Sequence, residues 1–547
     1  MTKPLPPRTV LTVEDRRRPA EVVSAGTALA RSAGVTGVAT LTSRILGLAR
    51  DQVLAAFFGA GSDMDAFIVA FRIPNLVRDL FAEGAMSAAF VPTFTSRLTL
   101  HGKDEAWRLA NNLITALLLV TGGAVVAGAL YARPLVTAYA GNFSRVPGQL
   151  ELTISLTRVM LPFLTMVSLA AAAMGMLNSL HHYFVPALSP AMFNIAIIAG
   201  AWALVPLMPA LGLAPITAIA IAALVGGALQ LAVQWPSLRR EGFRYRPVLD
   251  PRDPGLHQVL VLMGPGTIGL AATQVSLFVN TLLATSQETG AVSWLAYAFR
   301  LMYLPIGLFG VSIATAALPA VSRHAAVDDQ AGTRRLVAQA LGMTIVLCLP
   351  ATFGLVTLAE PIVRLLFERG RFSAVDTVST AAALRYYAVG LLGYASVRVS
   401  SPVFYAIRQS KVPVIVSLWT IALSIVINVV LVRVMGFRGL ALGTSLAVLV
   451  NGGALLLLLH RRLGGIEHGS LVLTFVKTIV ASGIMAVVSV SVEHLIARAV
   501  PGHGTAAQVI RLSATIAAGL AALTATAKSL GIREYDDALA GVAGRLM

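Results

Sequence analysis

Cysteine and charge are both scarce in this 547-residue chain. The single cysteine, Cys348, excludes an internal disulfide and a cysteine-based zinc site. Asp, Glu, Lys and Arg make up 12% of the residues, where a soluble domain has about 25%. That shortage excludes an ordinary soluble enzyme, a disordered protein and a coiled coil. Acid is scarcer than base: 25 Asp+Glu stand against 42 Lys+Arg, a net charge of +17. In a soluble protein this excess would suggest nucleic acid; basic loops flanking a membrane give the same sum. No nucleophile elbow, Walker loop or H-E-x-x-H occurs, so no catalytic residue and no metal site is expected. His181-His182 reads as a surface pair. Gly59-Ala60-Gly61 lacks the strand-to-helix context of a dinucleotide loop.

What is abundant is apolar surface: 56% of the residues, with a mean hydropathy of +0.78. Stretches of roughly 20 apolar residues, enough to cross a hydrocarbon core about 30 Å thick, recur to the end of the chain. They predict an all-α polytopic membrane protein with fourteen transmembrane helices: 30–58, 65–95, 109–132, 152–178, 186–208, 213–236, 257–285, 291–320, 336–357, 378–405, 412–434, 439–460, 471–492 and 506–530. Helices, not strands, follow from span length and from the need of lipid-exposed backbone to satisfy itself. Residues 1–29 read as a disordered cytoplasmic tail with no signal-peptide core. With the N-terminus inside, cytoplasmic segments hold 23 basic residues and the opposite loops 8. This predicts a cytoplasmic membrane protein with both termini cytoplasmic.

The chain resembles itself at an offset of 227. Pro92 and Pro319, Arg108 and Arg335, Val185-Pro186 and Val412-Pro413, and Gly212-Leu213-Ala214 and Gly439-Leu440-Ala441 are all so related. Six spans per repeat is an even number, so both halves share one orientation. The expectation is two six-helix lobes, 30–240 and 257–465, in a parallel pseudo-twofold repeat, as in transporters that rock two lobes around a central site. A C-terminal helix pair, 471–547, falls outside the repeat.

Charges at bilayer depth cost about 2.5–3.5 kcal/mol each on insertion scales, so they face a cavity or a partner. Here they concentrate in the first two spans: Arg44, Arg50, Asp51, Asp65, Arg72, Arg78, Asp79 and Glu83. At 100° per residue, Asp65, Arg72, Asn75, Asp79 and Glu83 share an arc of about 80°. Phe67, Ile68, Phe71 and Phe81 are left for lipid, and Pro74 is expected to kink or open the helix. Arg300 and Arg398 are the candidates of the second half. Guanidinium groups match phosphate oxygens and keep their charge, so a cluster of them suggests a phosphate or diphosphate ligand. The competing reading is structural, with the same charges forming buried ion pairs that fix helix packing.

The run Thr42-Ser43-Arg44-Ile45-Leu46-Gly47-Leu48-Ala49-Arg50-Asp51, then Met64-Asp65-Ala66-Phe67, Pro74-Asn75-Leu76-Val77-Arg78, Phe81-Ala82-Glu83-Gly84-Ala85 and Ala89-Phe90-Val91-Pro92, resembles the opening of the MurJ (MviN) lipid II flippases. These belong to the multidrug/oligosaccharidyl-lipid/polysaccharide exporter (MOP) superfamily. Val292-Ser293-Trp294, Arg300-Leu301-Met302, the run Leu366 to Phe372, and Phe404-Tyr405 are similar as well. The resemblance covers about residues 30 to 465. It implies fourteen helices in two lobes, with the last pair forming a lipid-tail groove. It also implies alternating-access transfer of undecaprenyl-diphosphate-linked disaccharide-pentapeptide (lipid II) from the inner to the outer leaflet, for peptidoglycan and cell wall biogenesis. Substrate-binding positions carry over onto Arg44, Arg50, Arg78, Arg300, Asn75 and Ser293. Asp51, Asp65 and Glu83 carry over as associated polar positions, and with Arg72, Asp79 and Arg398 they form the expected gating or charge network. The expected partners are lipid II, membrane lipids and the cell-wall synthesis machinery. No cofactor is implied. Phe299 and Tyr303 stand where some members have acidic residues, so a sodium or proton site does not transfer; coupling to the membrane potential or to a monovalent cation stays open. Other polyprenyl-diphosphate saccharides (an O-antigen or teichoic precursor), a drug/cation antiporter and a membrane scaffold for cell-wall synthases remain as alternatives.

Overall fold

The computed structural model describes the backbone of residues 18–78, 85–466, 468–499, 502 and 504–546. It describes side chains from residue 37 onward, except 77–88, 264–272, 467–469, 500, 501, 503 and 541–547. Every regular element among the described residues is helical. The first half contains α1 (Arg18–Phe58), α2 (Ser62–Arg78), α3 (Ala85–Leu130), α4 (Ala132–Ala140), α5 (Gln149–Met160), α6 (Phe163–Ser179), α7 (Phe184–Ala203), α8 (Thr217–Ala232) and α9 (Trp235–Arg240). The second contains α10 (Pro254–Thr285), α11 (Ala291–Pro305), α12 (Val311–Ala326), α13 (Gln330–Thr357), α14 (Ala359–Phe367), α15 (Ala374–Ala388), α16 (Leu391–Ala406), α17 (Lys411–Met435) and α18 (Phe437–Arg462). The chain ends in α19 (His468–Ala499), α20 (Thr505–Ser529) and α21 (Arg533–Leu546).

Among the described residues, ten helical stretches are long and apolar enough to cross a membrane. They correspond to expected spans 3–6, 8, 9 and 11–14. Of the other four, the first carries Arg44, Arg50 and Asp51, α2 has only 17 residues, the seventh includes side chains outside the described part, and the tenth is divided between α15 and α16. The expected tail, residues 1–29, overlaps the first helix. Helix α1 already begins at Arg18, so residues 18–29 are helical. Pro19 is tolerated in a first turn, where its missing N–H has no partner to lose, and the residues that follow continue into the span. Residues 1–17 lie outside the described part. Gly102, at φ 83 and ψ −178, breaks α3 into two helices. Helix α2 runs through Pro74 as far as Arg78.

The 227-residue offset reappears in the element boundaries. Shifted by that amount, Ala132–Ala140 lands on Ala359–Phe367 residue for residue. Both short helices bury the same i, i+4, i+8 stripe: Ala132, Val136 and Ala140 in α4, and Ala359, Val363 and Phe367 in α14. Packing repeats as well. Helices α1 and α7 pack together as α10 and α17 do, α2 and α5 as α11 and α15, and α6 and α8 as α16 and α18. Helices α19 and α20 pack on each other, with α19 against α13. Helix α21 folds back on this group: Thr474 donates to Glu534 at 2.9 Å, and the hydroxyls of Thr524 and Tyr535 meet at 2.7 Å.

The connection between the halves is held to α3 by two consecutive asparagines. Asn111 donates to the Arg244 carbonyl and accepts from the Arg246 N–H; Asn112 does the same with the carbonyl and N–H of Asp250. Asp253 then caps α10 by accepting from the Gly255 and Leu256 N–H groups. Its carboxylate also takes Arg97 of α3 at 2.8 Å. The start of α10 is thereby tied to the first half, while the rest of that helix packs on α17.

Candidate substrate cavity and its closed end

Asp51 is the centre of the charge network. Its side chain is buried, and Oδ1 accepts from Arg50 Nε at 3.0 Å, from Arg50 Nη2 at 2.8 Å and from Arg300 Nη1. One carboxylate of α1 thus holds an arginine of its own helix and one of α11. The counter-charge that the isolated Arg300 requires is Asp51. Arg50 is fixed further by α7: Nη1 donates to Asn194 Oδ1 at 3.0 Å, and the guanidinium carbon lies 5.8 Å from the centre of the Phe193 ring. Asn194 in turn donates to the Ser43 carbonyl, which ties it to α1.

Arg44 lies two turns before Asp51 and is exposed. It has no hydrogen-bond partner among the described residues. Its guanidinium lies against Gly307, where an added Cβ would come within 2.8 Å of Nη1. Gly307 belongs to the π-helical segment Ile306–Gly310 that joins α11 to α12. Such segments interrupt the regular ladder of a helix. Arg72 of α2 donates to the Thr281 hydroxyl of α10.

The two halves meet tightly at one end. Asp65, at the start of α2, is 1% exposed and accepts from the N–H groups of Gly290 and Ser293 at 2.7 and 2.9 Å and from the Ser293 hydroxyl at 2.6 Å. It satisfies the first turn of α11 from the other half of the chain, where N–H groups have no intrahelical partner. The Arg371 N–H donates to the Ala56 carbonyl at 2.8 Å. Gly370, at φ 61, sits so close to Ala56 that a side chain there has no room. Tyr297 packs between Phe367 and Phe372, in a core cluster that also holds Leu54, Phe58 and Met64.

Away from that seam lies a cavity of about 650 Å³, lined by Arg72, Asn75, Gln274, Asn280, Arg300 and Asn451 among others. The structure therefore brings Arg72, Asn75 and Arg300 to one space, with Arg50 and Asp51 bonded behind Arg300. It does not bring Ser293 there: Ser293 is fully buried in the seam with Asp65. Arg398 donates to the Tyr303 hydroxyl at 2.7 Å, so a neutral oxygen occupies the position where an acidic residue was considered. Asp79 and Glu83 lie outside the described residues, as does the side chain of Arg78. Phe67 and Phe71 do not face lipid as expected; they stack on each other at 5.7 Å, and Phe71 meets Phe163 and Phe193. Phe67, Ile68 and Phe71 all line the cavity described above, which the periodicity of α2 alone does not reveal. At the surface, His182 Nε2 meets Glu241 Oε1 at 2.8 Å and Lys103 meets Oε2 at 2.9 Å. Hydrogen bonds from His182 and Lys103 hold the Glu241 carboxyl below its ordinary range.

The family model "Lipid II flippase MurJ" matches residues 54–505. The chain belongs to the lipid II flippase MurJ family. It is 36% identical over 435 residues to the lipid II flippase MurJ of Burkholderia cenocepacia, covering 79% of this chain and 83% of the relative. It is 34% identical over 518 residues to the probable lipid II flippase MurJ of Rhizobium meliloti, covering 92% and 94%. Among solved structures, a lipid II flippase MurJ in an inward closed conformation superposes with a TM-score of 0.75 at 26% identity, over 90% of this chain and 99% of the other. An inward-facing multidrug resistance MATE transporter of the MOP superfamily superposes with a TM-score of 0.65 at 16% identity and shows a shared fold.

Within this MurJ-family chain, sequence reasoning missed Asn194, Thr281 and Gly290. Asn194 left a signal, as an asparagine inside an otherwise apolar span. Gly290 left none, because it contributes a backbone N–H.

Proposed function

We propose that this chain is a lipid II flippase: a multi-pass transporter of the bacterial inner membrane that moves the undecaprenyl-diphosphate-linked precursor of peptidoglycan between leaflets. It is not an enzyme. Membership of the MurJ family carries this reading. The geometry supplies a mechanism for it. A polar cavity beside a tightly packed seam is the arrangement that alternating access needs. Guanidinium groups at its wall substitute for water around a diphosphate in a low-dielectric surrounding, where their interactions are stronger than in bulk.

In the finer reading, fourteen helices form two six-helix lobes, 30–240 and 257–465, with a C-terminal pair. Both termini are cytoplasmic, and the seam around Asp65 closes the periplasmic side. Arg44, Arg50, Arg78 and Arg300 hold the diphosphate; Asp51 keeps Arg50 and Arg300 in place until the ligand competes for them. Opening of the seam and closure of the opposite end then turn the cavity to the outer leaflet. The membrane field, about 2.3 kcal/mol per charge per 100 mV, biases movement of this cationic cavity.

Complementation of a bacterium depleted of its lipid II flippase tests the function. Growth restored by the intact chain supports it, and failure of a well-expressed chain rejects lipid II as cargo. Reconstituted transport with and without an imposed potential tests the coupling; equal rates would rule it out.

A further inference from the structure

Helix α1 meets the α11–α12 helix at two rungs. At the first, Asp51 accepts from Arg300. Seven residues before Asp51 and seven after Arg300, Arg44 meets Gly307. A step of seven is about two helical turns, so both rungs lie on the same pair of faces. At the first rung a carboxylate neutralises the arginine. At the second the facing residue has no side chain at all.

Three observations give that glycine a purpose. A Cβ built on Gly307 would stand 2.8, 3.4 and 3.5 Å from Nη1, Cζ and Nη2 of Arg44, so the broad side of the guanidinium covers it, not a single N–H. Gly307 is buried while Arg44 is exposed, with no hydrogen-bond partner among the described residues. Gly310, in the same π-helical segment, differs: its Cβ would make ordinary contact with Ala395, 3.5 Å from Cα. The need for a missing side chain therefore belongs to position 307 and not to the π segment as such. A guanidinium carries its five donors around its rim, and its faces are weakly hydrated and stack on flat surfaces. Resting a face on bare backbone restricts the long side chain in advance of binding and leaves the rim open to phosphate oxygens.

We infer that Gly307 is a positioning residue for the diphosphate: a shelf that holds the Arg44 guanidinium flat, with its rim open to the ligand. The inference rests on the proposed flippase function, in which Arg44 contacts the diphosphate, and adds the reason that this arginine is ready to do so. A side chain at 307 would take the place of the guanidinium, and an acidic one would mate with it as Asp51 does with Arg300.

The test is a double-mutant cycle on binding of undecaprenyl diphosphate to the full-length protein in nanodiscs. Gly307→Ala displaces only the end of a flexible side chain, and alanine favours a helix over glycine, so thermal unfolding should come no earlier than in the intact protein. Binding should weaken about fivefold or more in the intact protein and less than about twofold in an Arg44→Ala background, where nothing is left to position. An Arg44→Lys background should be equally insensitive, because an ammonium has no face to rest on the shelf. Gly310→Ala should leave affinity within about twofold, in the range of changes that touch no special feature. Weakening by Gly307→Ala that is equal with and without Arg44 would mean that it acts through the π segment, and would overturn the inference. So would unchanged affinity of the Gly307→Ala protein, or early unfolding that Arg44→Ala does not relieve. Should the intact protein bind neither undecaprenyl diphosphate nor lipid II, the flippase reading itself fails, which separates the two outcomes.

Discussion

Asp51 and Arg44 show how differently two charges on one helix are used. Asp51 is satisfied twice over, by Arg50 and Arg300. Arg44 is exposed and unpartnered among the described residues. Arg44→Ala should therefore leave stability within about 0.5 kcal/mol, the range of surface changes, while reducing transport at least tenfold. Thermal unfolding and complementation at matched expression check both halves of that expectation. Asp51→Asn should do the reverse. Removing a charge-assisted acceptor costs roughly 1.5–3 kcal/mol and lowers the unfolding midpoint. Affinity for lipid II should rise, because the carboxylate no longer competes for the two guanidiniums. A variant that loses both stability and lipid II binding would contradict the competition. The pH dependence of Glu241 has a definite sign. Its folded value is depressed by His182 and Lys103, so its contribution is complete above the ordinary carboxylate value of about 4.3. That contribution is lost as pH falls through the lower folded value. Glu241→Gln should flatten the acid limb of a stability–pH curve in that window.

Elements were legible in proportion to how local their cause is. Span length and the 227-residue offset anticipate α3, α5 to α8, α11 to α13 and α15 to α20 because hydrophobic periodicity is a property of the segment itself. The amphipathic pair α4 and α14 escaped, since nine residues fall short of a span and their buried stripe depends on tertiary neighbours. The site was legible by residue type: Arg72, Asn75 and Arg300 do converge. It was not legible by pairing, because Asn194, Thr281 and the N–H of Gly290 are brought in by other helices. The grip of Asn111 and Asn112 on the inter-half connection is a third case: both lie inside the expected span 109–132, but nothing in the sequence names their partners. Asn112 is 1% exposed, so Asn112→Ala leaves the N–H and C=O of Asp250 without their partner. The expected cost is about 1–3 kcal/mol, with faster amide exchange at Asp250. Unchanged exchange at Asp250 would mean the connection is held by other contacts.

For the whole molecule, the packed seam fixes which end is closed. The N–H of Arg371 and the carbonyl of Ala56 are joined across it, which makes this pair the natural place to try a disulfide. Ala56→Cys with Arg371→Cys should cross-link on oxidation, and the lone native thiol, Cys348, is buried and does not interfere. Transport should stop when the bond forms and return on reduction; transport by the cross-linked protein would show that this end need not part. The repeat bears on the energetics of the same event. In the proposed arrangement of six spans per half, the duplication relates the molecule side to side, never top to bottom. Inward and outward states are then not mirror versions of one another, and symmetry gives no reason for them to be equally populated. Their balance is a separate quantity, set by particular contacts such as the three donors on Asp65, and sequence drift at that one carboxylate can retune the resting state without disturbing the duplicated frame.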